Sequence, residues 1–264
     1  MIKNKFKNKR LSQVSGDRQS IFPILSQRKA ELTTKQLVTI IVLIVSFIII
    51  LFLIFRLNLG EQTDKEICHN SVVLKHQTKI VSGPLDCRTN YVCVSGGKEC
   101  SNMPKASKIS VSPDKKNEIM KAIADEMAGC WWMFGEGKIN YGVAGGRSIK
   151  YALCSAIEFD SGVQGKIKEI SYSEFYNYLK TTQKQGSQSY LNYLYGVNDV
   201  NLLTIDPPFT IDINQDKIMT NQRYSIITGI DDNSIDPDVI LKVYIIPTSE
   251  TSSRLEQGEF ITKV

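Results

Sequence analysis

The chain of 264 residues holds only two histidines, His69 and His76, and they stand seven apart. No His-Glu-x-x-His or His-x-x-x-His spacing can be made from them, which excludes a zinc site built on a histidine pair. The same shortage speaks against a Ser-His-Asp triad, and there is no Gly-x-Ser-x-Gly elbow. The six cysteines include no Cys-x-x-Cys pair, so thiol redox catalysis and thiolate zinc binding lack their usual spacing. Gly142 to Arg147 is rich in glycine but lacks the Gly-Lys-Ser/Thr ending of a phosphate loop, and no helical pattern follows it. It reads as a flexible connection between strands. No cofactor and no metal is expected.

Charge is missing from one long stretch. Between Leu37 and Phe55 only Thr39 and Ser46 are polar. Nineteen residues at about 1.5 Å each nearly match a hydrocarbon core of roughly 30 Å, and Leu57 and Leu59 add reach while Arg56 snorkels. In lipid only a helix satisfies its own backbone, so residues 36–57 are expected to form a transmembrane helix with the bilayer as partner. The residues that follow, Arg56 to Glu61, hold no Ala-x-Ala site, so an uncleaved anchor is expected. Residues 1–35 carry nine Lys or Arg against two acids, a net of +7. The whole chain is +5, which leaves −2 for residues 36–264. That asymmetry places a basic tail, residues 1–35, in the cytoplasm and the larger part outside the cell membrane. A mildly acidic outer part disfavours nucleic acid.

Cysteine is absent before the apolar run. All six, Cys68, Cys87, Cys93, Cys100, Cys130 and Cys154, follow it. An even set confined to one side fits an oxidising exterior, and all six are disulfide candidates with fifteen pairings open. Residues 60–111 read as a first, Cys-rich and β-like segment, with strand-like runs at Ser71 to Leu74 and Tyr91 to Val94. A two-residue turn at Gly96-Gly97 would set Cys93 opposite Cys100 in a hydrogen-bonded pair, a geometry that permits a bond without favouring it. Cys130 to Cys154 would tie a helix to a strand, with Cys68 and Cys87 as competitors.

Residues 112–264 read as an α+β extracytoplasmic domain. Ser112 is a good N-cap with Pro113 in the first turn. Ile119, Ile123, Met127 and Trp131 then recur every four residues until Gly135 or Gly137. From Ser148 to Phe159 apolar residues alternate, which suggests a strand with one buried side and Cys154 on the other. Ser171-Tyr172-Ser173-Glu174 is a capping box that starts a helix to Thr181, and a second helix runs from Ser189 to Tyr195 before Gly196. Between them, Gln183 to Gln188 reads as a polar connection. Strands are expected at Phe209 to Ile213, Arg223 to Ile230 and Val239 to Ile246, in an antiparallel sheet after the helices.

Few residues invite a chemical role. Asp212, Asn214 and Asp216 are spaced like the start of a calcium loop, but Lys217 stands where glycine is needed and Arg223 where glutamate is. Asp231, Asp232, Asn233, Asp236 and Asp238 form an acidic turn. Glu158 and Asp160 could serve acid–base work, without a second carboxylate at a definable distance. Six of the eleven tyrosines fall within 24 residues: Tyr172, Tyr176, Tyr178, Tyr190, Tyr193 and Tyr195, with Phe175 among them. Two readings stand for these rings. They form an interface for a protein partner at the cell surface, or a helical core whose hydroxyls reach water.

The stretch Ala124-Asp125-Glu126-Met127-Ala128-Gly129-Cys130-Trp131-Trp132-Met133-Phe134-Gly135-Glu136-Gly137-Lys138 resembles a motif of uncharacterised membrane-anchored proteins of small-genome archaea. Pro84 to Cys87, Cys154 to Ile157 and Glu174 to Leu179 fit the same likeness. It implies a cell-surface setting and no assigned activity. The expectation is a binding or structural protein. An envelope hydrolase using carboxylates is the alternative, and a subunit joined through its span is weaker because the span lacks a Gly-x-x-x-Gly face.

Overall fold

The structure, a computed structural model, describes residues 34–56, 59–78, 85–142, 149–205, 211–231, 239–254 and 258–262. The basic tail up to residue 33, most of the glycine-rich stretch at 143–148, Pro84, the 206–210 segment and most of the acidic turn at 232–238 lie outside these residues. The chain divides into two units at Arg56/Leu57.

The first unit contains helix α1, Thr34–Arg56. Its apolar side chains from Leu37 to Phe52 are exposed, with Phe47 61% and Leu43 64% accessible. Thr39 and Ser46 donate to the carbonyls of Lys35 and Val42 at 2.9 and 2.7 Å, so the two polar groups of the run are satisfied inside the helix. Among the described residues this is the one helix long and apolar enough to cross a membrane.

The second unit begins with α2, Leu59–Thr78. The Ser71 to Leu74 stretch, expected as a strand, is therefore helical. Val72 is buried and Ser71 donates back to the Cys68 carbonyl, so the apolar pair serves one helix face and not a pleat. Strands β1, Asn90–Ser95, and β2, Ser107–Ser110, follow, then α3, Lys116–Met133. Next come β3, Ile149–Phe159, α4, Ser161–Lys166, β4, Glu169–Ser171, and α5, Tyr172–Thr181. A small hairpin of β5, Gln183–Gln185, and β6, Gln188–Ser189, occupies the stretch read as a polar connection. It leads into α6, Tyr190–Tyr195. The chain closes with β7, Lys217–Met219, β8, Tyr224–Asp231, β9, Val239–Pro247, α7, Thr248–Arg254, and β10, Gly258–Phe260. Ile211 to Ile213, expected at the end of a strand, is not one.

The main sheet has the order β2-β1-β3-β8-β9, with β10 beside β3. It is mixed. β1 runs parallel to both β2 and β3, β10 is parallel to β3, and only β3-β8 and β8-β9 are antiparallel. The expected antiparallel sheet is corrected on this point, and the Cys-rich segment is part of the same sheet as the later strands. Gly96-Gly97 does not close a hairpin, because the strand that follows returns parallel to β1. Since β8 takes one edge of β3, β1 and β10 share the other, at residues 155–159 and 149–151.

β3 is central and buried on both faces: Tyr151, Ile157 and Phe159, but also Ala152, Cys154 and Ala156. The simple alternation fails for a second reason. The register slips between Leu153 and Ser155, a β-bulge, so neighbours Cys154 and Ser155 both reach α3, at Cys130 and Glu126. Helix α3 starts later than its sequence signals suggest. Ser112 to Lys115 is a turn, Lys115 takes the N-cap position without a side-chain bond, and the Glu118 carboxylate accepts the Ser112 N–H at 2.7 Å. The cap at Ser171 forms as expected, and Ser189, expected as the first residue of its helix, is instead its N-cap; each accepts the N–H three residues on.

Candidate functional site

All six cysteines are paired: Cys68–Cys87, Cys93–Cys100 and Cys130–Cys154, with Cα separations of 4.4, 5.8 and 5.5 Å. The first ties α2 to the segment before β1. The second closes the loop after β1, reached without the tight hairpin that made it unfavourable. The third pins α3 to the bulge of β3. Each such link restricts the unfolded chain and is worth typically about 2–4 kcal/mol.

A cleft of about 160 Å³ opens where α2 and α3 meet the β1–β2 end of the sheet. Lys65, Asn90, Val92, Ser107, Lys108, Ile109 and Glu126 line it. Glu126 lies on α3 in register with Ala122 and Cys130, a carboxylate on the buried stripe of the helix. Its Oε1 receives Lys65 Nζ at 3.2 Å. Its Oε2 receives Ser155 Oγ–H at 2.7 Å and, more weakly, Asn90 Nδ2 at 3.5 Å. Glu126 is 6% exposed, so this ion pair and its hydroxyl keep a buried charge compensated. Sequence reasoning missed the site. Its one signal was a glutamate four residues before Cys130 on an otherwise apolar stripe.

Asp160 is buried at the end of β3 and organises a loop. Its Oδ1 caps α4 through the Val163 N–H at 2.9 Å, while Oδ2 accepts the Lys98 N–H at 2.7 Å and Ser95 Oγ–H at 2.9 Å. Burial alone would raise its pKa. The N–H groups of Val163, Gly96 and Lys98, with the Ser95 hydroxyl, together hold it below the ordinary value. Glu158 Oε1 accepts from Asn102 Nδ2 at 3.1 Å, and its buried Oε2 has no partner among the described residues. These two carboxylates thus face separate structural tasks.

The tyrosines are core. Tyr172, Phe175, Tyr176, Tyr190 and Tyr195 are buried, and Tyr178 and Tyr193 are half-buried against them. Of the two readings of these rings, their burial favours the core. Their hydroxyls have a definite task. Tyr172 and Tyr195 donate to the carbonyls of Ile245 and Val243 at 2.8 and 2.7 Å. These are alternate residues of β9, so both carbonyls face one side of the strand that ends the sheet. The hydroxyls stand in for a missing neighbour strand and blunt that edge. Tyr176 donates to Tyr195 at 3.3 Å behind them. Burial raises the pKa of Tyr176 to about 12 and those of Tyr172 and Tyr195 well above the ordinary value.

Both histidines donate from Nδ1 to carbonyls, His69 to Trp132 at 2.8 Å and His76 to Asn140 at 2.9 Å, and His69 stacks on the Trp132 ring. They fasten α2 to the end of α3 and to the loop that follows it. The Asp212 carboxylate accepts the Asn214 N–H and that of Asp216 accepts the Asp212 N–H, ordinary turn bonding. Among the described residues no group of three or more His, Cys, Asp or Glu is placed to hold a metal ion.

No family model, curated protein or solved structure matches the chain. Residues of the Cys-Trp-Trp stretch have structural tasks. Cys130 is bonded, Trp131 and Phe134 are buried, and Trp132 carries His69. Gly135 and Gly137 adopt φ of 80° and 71°, and a Cβ on Gly137 would stand 2.8 Å from the Trp131 ring.

Proposed function

We propose that the chain is a single-pass cell-surface protein whose disulfide-bonded unit works outside as a binding or structural domain. In this reading residues 36–57 span the bilayer and the basic tail, residues 1–35, stays in the cytoplasm. One observation carries it: six cysteines, all beyond an apolar helix that follows a basic segment, join in three bonds. Such bonds persist in oxidising compartments, and basic flanks are retained inside. The exposed apolar surface of α1 supports lipid as its partner, and the outer unit would meet a protein partner or the envelope. The alternative, an envelope hydrolase using carboxylates, would have to work at the cleft with Glu126, whose two oxygens are bonded to Lys65, Ser155 and Asn90. Alkylation of the chain drawn from its own membranes tests the reading. Mass should rise by six thiol adducts only after reduction; six adducts without reductant would refute an oxidising exterior.

A further inference from the structure

The Glu126 cleft offers donors and few acceptors. Both oxygens of Glu126 are already occupied from inside, by Lys65, Ser155 and Asn90. Lys65 Nζ uses one of its three N–H donors on Glu126, and its side chain keeps 29% exposure. Ser107 Oγ has no partner among the described residues. A backbone donor lies at the same place. Val111 N–H bonds the Ser95 carbonyl across the β1–β2 ladder at 2.9 Å. In a parallel strand successive residues point their N–H groups to opposite sides, so those of Ile109 and Ser107 face β1 as well. Lys108 N–H then faces the edge of β2 that has no neighbour strand among the described residues. Val92 and Ile109 supply an apolar wall.

From this arrangement we infer that the cleft binds a small organic carboxylate, a free short acid or the C-terminal residue of a peptide lying along β2. The ligand's oxygens would take Lys65 Nζ, Ser107 Oγ–H and the Lys108 N–H, and its short apolar branch would rest on Val92 and Ile109. Charge favours it, because each carboxylate oxygen is an acceptor and the cleft's own carboxylate is spent on internal donors. Size agrees, since a cavity of about 150 Å³ holds a six-carbon ring. An extended peptide added to an open strand edge is a recurrent recognition mode in which backbone bonds hold the chain and a pocket selects the side chain. The inference rests on reading the outer unit as a binding domain.

Calorimetric titration of the full chain in lipid nanodiscs tests it, with isobutyrate, isobutyramide, inorganic phosphate and an N-acetylated tripeptide ending in valine. The acid and the peptide should bind, the amide should not, and phosphate should bind less well than isobutyrate. A peptide tighter than isobutyrate assigns the ligand to a chain terminus; isobutyrate alone assigns it to a free acid. Glu126→Gln leaves an acceptor for Ser155 and removes a negative charge next to the ligand, so carboxylate affinity should rise by at least about tenfold. The double variant Lys65→Met/Glu126→Gln removes the ion pair as a unit and leaves the net charge of the cleft unchanged, so it can fold, as circular dichroism would check, yet should lose carboxylate binding. Equal binding of acid and amide, no binding of either carboxylate, phosphate binding as tight as isobutyrate, or unchanged affinity in Glu126→Gln would overturn the inference. Because the purified chain is measured, such a failure leaves its placement across the bilayer to be decided by alkylation and surface labelling.

Discussion

At the scale of single residues, buried polar groups do most of the organising. Asp160 shows how. Four donors converge on one carboxylate and join the loop after β1 to the start of α4. Because its folded pKa is lowered, its stabilisation is present above the unfolded carboxylate value near about 3.9 and is lost as pH falls through the folded value. Asp160→Asn keeps one acceptor and turns an NH₂ toward a donor. It should lose about 1–3 kcal/mol at pH 7, and the gap to wild type should shrink at acid pH, below the ordinary aspartate value. Urea unfolding at the two pH values checks both statements; a constant gap would place the effect elsewhere. Asp160 was visible in the sequence as a carboxylate after a strand. Its role was not, because three of its donors come from residues more than sixty positions earlier.

Elements were legible where a local signal decides them. The cap at Ser171, the stop at Gly196 and the four-residue period of α3 depend on near neighbours, and they formed where expected. Helix α2 did not, since its apolar face is narrow and two β-branched residues imitated a strand until Cys68, Val72 and His69 found partners on other elements. The β3 bulge and the parallel partners of β1 are likewise set by distant contacts. Tyrosine crowding in α5 and α6 was plain in the sequence, but its purpose depends on where β9 ends the sheet. Tyr195→Phe removes the donor to the Val243 carbonyl and leaves Tyr176 without its acceptor. Unfolding by urea should show a loss of about 1–3 kcal/mol, the cost of an unsatisfied buried carbonyl. An unchanged midpoint would mean that water or another group closes the β9 edge.

On the scale of the whole molecule, the two units differ in the surface they present. A 23-residue helix, about 35 Å long, presents Leu, Ile, Val and Phe outward along its length. The following unit buries a mixed sheet under helices and fastens it with three disulfides. That division was legible in the sequence because a long apolar window and a mixed one differ in composition, whereas the cleft required four elements to converge. In the proposed placement the lysines before α1 and those after it meet different compartments. Intact cells treated with a membrane-impermeant amine reagent, followed by peptide mass mapping, test this most directly. Lys98, Lys105 and Lys166 should be labelled while Lys3, Lys5, Lys7 and Lys9 stay unmodified until the membrane is opened; labelling of the N-terminal lysines with protection of the other three would contradict it.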